Sequence, residues 1–216
     1  MWRSFWLNTL DRLRTLLAEP QPVVPSRASH IVNFATMYRR IMKYCTGTSL
    51  LDVGSSLGFL PVLVAENFAD MTVVGCDSRH DLVACASDLA GAIHPGRVLF
   101  LARDVLSPEF REMGRYDTVT AVHLLEHVAE QDVPAALSNM LDVTCRRLII
   151  AVPYEERVLV PYGHAQAFTP EKLRICGRWC VEALGGGQFW CEDLNGGLLV
   201  FDRPASGVRH ADCVGR

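Results

Sequence analysis

A surplus of positive charge is missing from this chain. Its 216 residues carry 21 Lys+Arg against 24 Asp+Glu, a formal net charge of −3. Proteins that coat DNA or RNA neutralise a run of phosphates, so this balance disfavours them and leaves room only for a local basic groove. Lysine itself is nearly absent, with only Lys43 and Lys172 against 19 arginines, which reads as genomic composition rather than chemistry. Long hydrophobic runs are lacking too. The apolar start Met1-Trp2-Arg3-Ser4-Phe5-Trp6-Leu7 is cut short by Asp11, Arg12 and Arg14, giving neither a leader peptide nor a membrane span. No second close cysteine pair accompanies Cys176 and Cys180, so a structural zinc knot is disfavoured. Cys76 lies in the apolar run Val73-Val74-Gly75-Cys76, and Cys85 and Cys145 have apolar or helix-like surroundings. The cysteines therefore read as buried thiols in a reducing, cytoplasmic setting. Internal repeats and low-complexity tracts are absent.

What is present is an ordinary globular composition, half hydrophobic and 21% charged. The length suits one domain with a decorated edge. Trp2, Phe5, Trp6, Leu10, Leu13 and Leu17 fall at helical spacing, which predicts an amphipathic helix over 2–17 packed on the domain. Gln21-Pro22-Val23-Val24-Pro25 is a stiff break, and a second helix is expected from His30 to Tyr44 with Ile31, Phe34, Tyr38 and Ile41 on one face. Apolar runs at 49–53, 71–76, 97–101, 116–122 and 147–152 then alternate with helix-like segments at 58–69, 79–92, 107–113 and 131–143. That alternation predicts βαβ units and a parallel sheet. Beyond it, a helix near 170–177, a strand near 179–184, a Gly185-Gly186-Gly187 turn and a strand at 197–201 are expected, the two strands closing the sheet as an antiparallel hairpin.

The most informative segment is Leu50-Leu51-Asp52-Val53-Gly54-Ser55-Ser56-Leu57-Gly58, an apolar strand running into a glycine turn and a helix. Glycines let the backbone approach a ligand, and the helix start offers free N–H groups. The G-x-G-x-x-G of a nicotinamide enzyme is missing. Asp52 instead precedes the first glycine, where a carboxylate repels a pyrophosphate but suits an ammonium group. Asp77 ends the second strand, placed to accept from two ribose hydroxyls, and Asp104 follows the third, placed to accept from an adenine amino group. Asp117 opens the fourth. Each alone reads equally as a turn or helix cap; together at successive strands they point to a nucleoside ligand.

These segments, with Val74-Gly75-Cys76-Asp77, Asp104-Val105-Leu106, Tyr116-Asp117-Thr118-Val119, Leu124-Leu125-Glu126-His127-Val128 and the later Phe168-Thr169-Pro170-Glu171-Lys172-Leu173, resemble the class I S-adenosylmethionine-dependent methyltransferases over residues 50–152. The resemblance implies a Rossmann-like α/β fold, doubly wound, with a mostly parallel seven-stranded sheet, an antiparallel last strand and N-terminal helices. It implies S-adenosylmethionine as cofactor, with Asp52 and Gly54 at the methionyl end, Asp77 at the ribose and Asp104 at the adenine. Ser56, Gly58, Val105 and His123 complete the implied cofactor set. Ser56 stands where many members carry the middle glycine.

Methyl transfer to a hydroxyl needs its proton removed by a base or through a metal. His123, Glu126 and His127 fall at i, i+3 and i+4, sharing a face if that turn is helical, and His164 follows the fifth strand. Two imidazoles and a carboxylate suit a divalent ion such as Mg²⁺, with His164 as a further ligand. The pattern resembles the metal-dependent branch acting on small-RNA 2′-hydroxyls and ubiquinone precursors, which carries E-x-x-E-H; here His123 replaces the first Glu. A metal-free histidine base, His123 first and His164 next, and a purely structural turn remain the alternatives. Tyr154 is expected to line the acceptor pocket.

The expected organisation is a helical cap (1–46), the cofactor domain (47–204) and a flexible tail (205–216). The expected activity is O-methylation of a small molecule such as a sugar, glycoside or secondary metabolite. DNA-base and many protein-amide methylations are disfavoured because no N-P-P-Y follows the fourth strand, no DNA partner is expected, and RNA is disfavoured by net charge. A metal-assisted RNA 2′-O-methyltransferase and a non-catalytic binding subunit are the competing readings, and the N-terminal helices offer a homodimer surface.

Overall fold

Alternating strands and helices close into one seven-stranded sheet. The computed structural model describes residues 2–19 and 30–204; the Gln21–Pro25 break and the tail expected at 205–216 lie outside them. In chain order the elements are α1 (Trp2–Ala18), α2 (His30–Tyr44), β1 (Ser49–Val53), α3 (Phe59–Asn67), β2 (Thr72–Asp77), α4 (His80–Ile93), β3 (Val98–Ala102), β4 (Tyr116–Val122), α5 (Val133–Val143), β5 (Thr144–Val152), α6 (Pro170–Leu184), β6 (Gln188–Asp193) and β7 (Gly197–Asp202). The strand order is β3-β2-β1-β4-β5-β7-β6. Strands β1 to β5 pair in parallel, and β7 runs against both neighbours, β5 and β6. The sheet is therefore Rossmann-like, with only its last strand reversed.

Both faces are covered, which is why the central strands read as continuous apolar runs. Along β5, Leu148, Ile150 and Val152 join the core under α5 and α6, with Leu137, Met140, Leu173 and Cys176. The alternate residues Ile149 and Ala151 join the opposite core with Trp6, Leu10 and Leu13 of α1, Met37 and Ile41 of α2, and Leu63 of α3. The apolar face of α1 is thus buried within this chain. Arg14 pairs with Glu66 of α3, which His94 also contacts at 2.5 Å, and Arg39 of α2 donates to the carbonyls of Leu16 and Glu19.

Two expectations about local structure are corrected. Residues 179–184 are not a strand but the end of α6. Thr169 caps that helix by accepting from the Lys172 N–H at 3.2 Å. At its other end Gly185, in the left-handed region at φ +61°, and Gly186 return N–H groups to Glu182 and Val181. With both ends capped the helical register runs through Trp179, and the hairpin strand is β6, where Trp190 lies. The segment at 107–113 is a 3₁₀ turn (Pro108–Met113) rather than an α-helix. Cys76, Cys85, Cys176 and Cys180 are free, Cys176 and Cys180 both buried on α6, whereas Cys145 is disulfide-bonded, contrary to the buried-thiol expectation.

Candidate active site

Strands β1, β2, β4 and β5 end along one edge, and the chain order reverses between β1 and β4. Open α/β sheets bind ligands in the crevice at such a switch point. The glycine turn lies on the β1 side. Gly54 (φ +73°), Ser56 (φ +49°) and Gly58 (φ +77°) all occupy the left-handed region, where only glycine sits without strain. A Cβ on Gly54 would come within 2.9 Å of Leu124 Cδ1, so the Leu124 side chain would have to give way to it. Ser56 N–H donates to Asp77 Oδ2 and Arg79 N–H to Asp77 Oδ1, both at 3.0 Å. The Asp77 carboxylate is thereby fixed at the end of β2, with lone pairs left over for a ligand. Asp104, exposed, accepts from the Leu106 N–H at 2.9 Å, and Val105 is buried beside it.

Asp52 is 3% exposed and faces Thr120 of β4, whose hydroxyl donates to it at 2.7 Å. Burial pushes its pKa up to about 7, against the Thr120 hydrogen bond that lowers it, and the Asp77 charge adds to the rise. A buried carboxyl so destabilised as an anion is suited to a cationic partner. The Ser55 hydroxyl is buried with no partner among the described residues. This edge fits a ligand with an ammonium at one end and a ribose at the other. Asp117 belongs elsewhere: it lies at the start of β4, the opposite end of the sheet, and accepts from the Thr48 N–H. Its place among the ligand-side acids is corrected accordingly.

On the β4 and β5 side the helical face expected for His123, Glu126 and His127 does not form. His123 has φ +53° and its N–H donates to Ala151 O on β5, so the 3₁₀ turn begins only at Leu125. His123 instead meets Glu126 through its side chain, Nδ1 to Oε1 at 3.0 Å, with the edge of Phe34 against its ring at 5.2 Å between centroids. Glu126 is 1% exposed, and its Oε2 has no partner among the described residues. Its carbonyl accepts the Ala165 N–H at 2.8 Å, which draws the loop after β5 over the site.

That contact brings His164 to His127. Their rings are perpendicular with centroids 4.9 Å apart, and Glu126, His127 and His164 each offer a ligand atom within 4.8 Å of the others. His123 stands outside this group. The carbonyl of Gly163 can only accept, so His127 Nδ1, at 3.1 Å, is the donor and Nε2 carries the lone pair. His164 Nδ1 is held at 2.9 Å by Glu155, which sequence reasoning missed. An unpartnered buried carboxylate oxygen beside two imidazoles with anchored Nδ1 atoms fits a divalent ion.

A cavity of about 630 Å³ opens beside these groups, walled by Phe34 and Met37 of α2, Leu159 and Tyr162 of the loop, and Leu194 of the hairpin. Tyr154 is not in its wall; it bridges to Phe168 and packs on the core, contrary to expectation. The part of α2 was legible only as helix periodicity, because nothing local says which end of the sheet Phe34 and Met37 reach.

The sequence model of a methyltransferase domain matches residues 50–146. Among curated protein sequences none matches significantly. Solved structures similar in fold include magnesium protoporphyrin IX methyltransferase from Synechocystis PCC 6803 with bound S-adenosylmethionine, at 19% identity, TM-score 0.61 and 90% of each chain. Another is an O-methyltransferase family protein from Burkholderia thailandensis, at 14% identity and TM-score 0.65, over 94% of this chain and 70% of that one. The methyltransferase domain of a bacterial Hen1 protein aligns at 17% identity and TM-score 0.62, over 79% of this chain and 99% of that one. At these identities the likeness is one of fold.

Proposed function

We propose that the chain is a class I S-adenosylmethionine-dependent methyltransferase and that it methylates a hydroxyl of a small molecule seated in the cavity between α2 and the loop after β5. In this reading Asp52 and Gly54 receive the methionyl end, Asp77 the ribose, and Asp104 with Val105 the adenine; Ser56 and Gly58 shape the turn. When bound, the cofactor would supply an electrophilic methyl group, which Asp52, Gly54 and Asp77 would position for an acceptor hydroxyl held in the cavity. Residues 1–46 act as a cap that supplies the α2 wall.

The observation that carries the hydroxyl assignment is the buried, unpartnered Oε2 of Glu126 flanked by His127 and His164. Glu126, His127 and His164 would hold a divalent ion such as Mg²⁺, which when bound supplies Lewis acidity to the acceptor oxygen. Glu155 orients His164, the Gly163 carbonyl orients His127, and His123 holds the Glu126 carboxylate by its other oxygen. No helix among the described residues is long and apolar enough to cross a membrane.

A second reading keeps the same acceptor without a metal. The 3.0 Å contact of His123 with Glu126 is a carboxylate-oriented imidazole, the arrangement of a general base. Transfer of labelled methyl from S-adenosylmethionine into a fractionated small-molecule extract, with Mg²⁺ or EDTA, separates the two. Loss of label with EDTA, together with divalent-ion binding by calorimetry, supports the metal. EDTA-resistant label, with turnover abolished in His123→Ala at unchanged S-adenosylhomocysteine affinity, supports the base. No small-molecule label in either condition overturns the proposal.

A further inference from the structure

We infer that the acceptor is an uncharged, mainly apolar molecule presenting a hydroxyl, and that phosphorylated, carboxylated and polynucleotide hydroxyls are excluded from this cavity. The inference rests on the methyl-transfer reading of the same site. Its first support is charge. Among the described residues no lysine or arginine lines the cavity, while two carboxylates, Glu126 and Glu155, do. A divalent ion held by Glu126, His127 and His164 would only balance those two carboxylates. A phosphate or carboxylate elsewhere on the acceptor would enter a partly dehydrated space with no guanidinium or ammonium to pair with it.

The second support is the state of the polar groups. His164 Nδ1 is engaged by Glu155, His127 Nδ1 by the Gly163 carbonyl, His123 Nδ1 by Glu126, and Asn33 by Asn195 at 3.5 Å. Outside the atoms that would hold a metal, the lining keeps Asn33 Nδ2, Asn195 Oδ1, His123 Nε2 and the Tyr162 hydroxyl, fewer groups than the donor and acceptor sites of a sugar, each of which would cost free energy if buried unpaired. The third support is the wall and its rim. Phe34, Met37, Leu159 and Leu194 present apolar surface inside. Around Leu159, Val158, Val160 and Tyr162 are 40%, 71% and 69% exposed, an apolar lip that a longer acceptor body can cover. The volume of about 630 Å³ lies in the range of small-molecule sites.

The test uses the full chain saturated with S-adenosylhomocysteine and measures binding by equilibrium dialysis. The probes are 2,6-dihydroxynaphthalene, 6-hydroxy-2-naphthoic acid, 6-hydroxy-2-naphthyl phosphate, methyl α-glucoside and a short oligoribonucleotide. Parallel reactions with labelled S-adenosylmethionine score methyl transfer to each. The dihydroxynaphthalene is expected to bind at least about tenfold tighter than the carboxylate, the phosphate and the glucoside. Asn33→Arg, which adds a cation at the cavity wall, is expected to shift preference toward the carboxylate by about tenfold, with S-adenosylhomocysteine binding as the control for folding. Tighter binding of the phosphate, the glucoside or the oligoribonucleotide, or no binding of the dihydroxynaphthalene, overturns the inference. Binding of the neutral probe without methylation of any probe leaves the acceptor class standing and strikes the methyl-transfer reading instead. Methylation of an anionic probe does the reverse.

Discussion

His164 Nδ1 lies 2.9 Å from Glu155 Oε2, and both side chains are about nine-tenths buried, 10% and 9% exposed. A carboxylate behind an imidazole fixes ring orientation and raises the basicity of the nitrogen facing the ligand. Glu155→Gln keeps a side chain of the same size but loses the charge. Divalent-ion affinity, read by calorimetry with Mn²⁺, is expected to fall by about 10- to 100-fold, and His164→Ala to fall at least as far. Wild-type affinity in Glu155→Gln would reduce Glu155 to packing.

Asp52 gives a pH dependence whose sign is fixed by burial. Its pKa rises from 3.8 to about 7, so between these values the folded protein holds a proton that the unfolded chain has released. The contribution to stability is complete below about pH 4 and is lost as pH rises through about 7. A cofactor ammonium favours the charged carboxylate, so binding below pH 7 must expel that proton. S-adenosylhomocysteine affinity is therefore expected to climb toward pH 7 and level off above it. Calorimetry in buffers of different ionisation enthalpy should show proton release near pH 6 and none near pH 8.5. Asp52→Asn is expected to flatten both profiles; an unchanged pH dependence in that variant removes Asp52 from ammonium binding.

Asp77 accepts from two backbone N–H groups, those of Ser56 and Arg79. Asp77→Ala should weaken S-adenosylhomocysteine by about 1.5–3 kcal/mol, the scale of hydrogen bonds to a charged group. Equal affinity by calorimetry would take the ribose contact away from it.

The sheet and the glycine turn at its edge were legible because their signals are local. Apolar runs alternate with helical periods, and Asp52, Gly54, Gly58 and Asp77 each sit within a few residues of a strand end. The α6 boundary was misread because Arg178-Trp179-Cys180-Val181-Glu182-Ala183-Leu184 suits strand and helix alike, and only the capped ends decide. The His123 turn was misread because spacing assumes a helix, whereas His123 leaves β4 in a left-handed conformation that keeps its N–H on Ala151. Pairings across the fold, such as Glu155 with His164 and Phe34 with His123, leave no trace in a linear spacing. The cavity, with no lysine or arginine among its described lining residues, was likewise hidden until α2 was placed over the sheet edge.

Ser56 holds φ +49°, a region costing a non-glycine residue on the order of 1 kcal/mol. Ser56→Gly removes that strain and adds chain entropy to the unfolded state, two terms of opposite sign. Relief is expected to dominate by a fraction of a kcal/mol, raising Tm by about 1 °C for a chain of this size. Its backbone N–H to Asp77 is retained, so cofactor affinity should not fall. A lower Tm by scanning calorimetry would mean that the Ser56 side chain makes a stabilising contact.

Trp6 ties the first helix to the cofactor turn. Its indole N–H donates to the Leu57 carbonyl at 2.8 Å, within the turn that carries Ser56 and Gly58, and its ring stacks on Phe59 with centroids 5.6 Å apart. The side chain is 1% exposed, so truncation leaves a cavity as well as an unpaired carbonyl. Trp6→Ala is expected to cost about 3–5 kcal/mol of unfolding free energy. Trp6→Phe keeps one aromatic ring against Phe59 but removes the donor and the rest of the indole, at about 1–3 kcal/mol. The pair separates packing from positioning. If the hydrogen bond holds the turn in its ligand-ready shape, Trp6→Phe weakens S-adenosylhomocysteine several-fold more than its loss of stability requires. If α1 is merely a packed helix, affinity in Trp6→Phe stays at the wild-type value while denaturant midpoints fall in both variants.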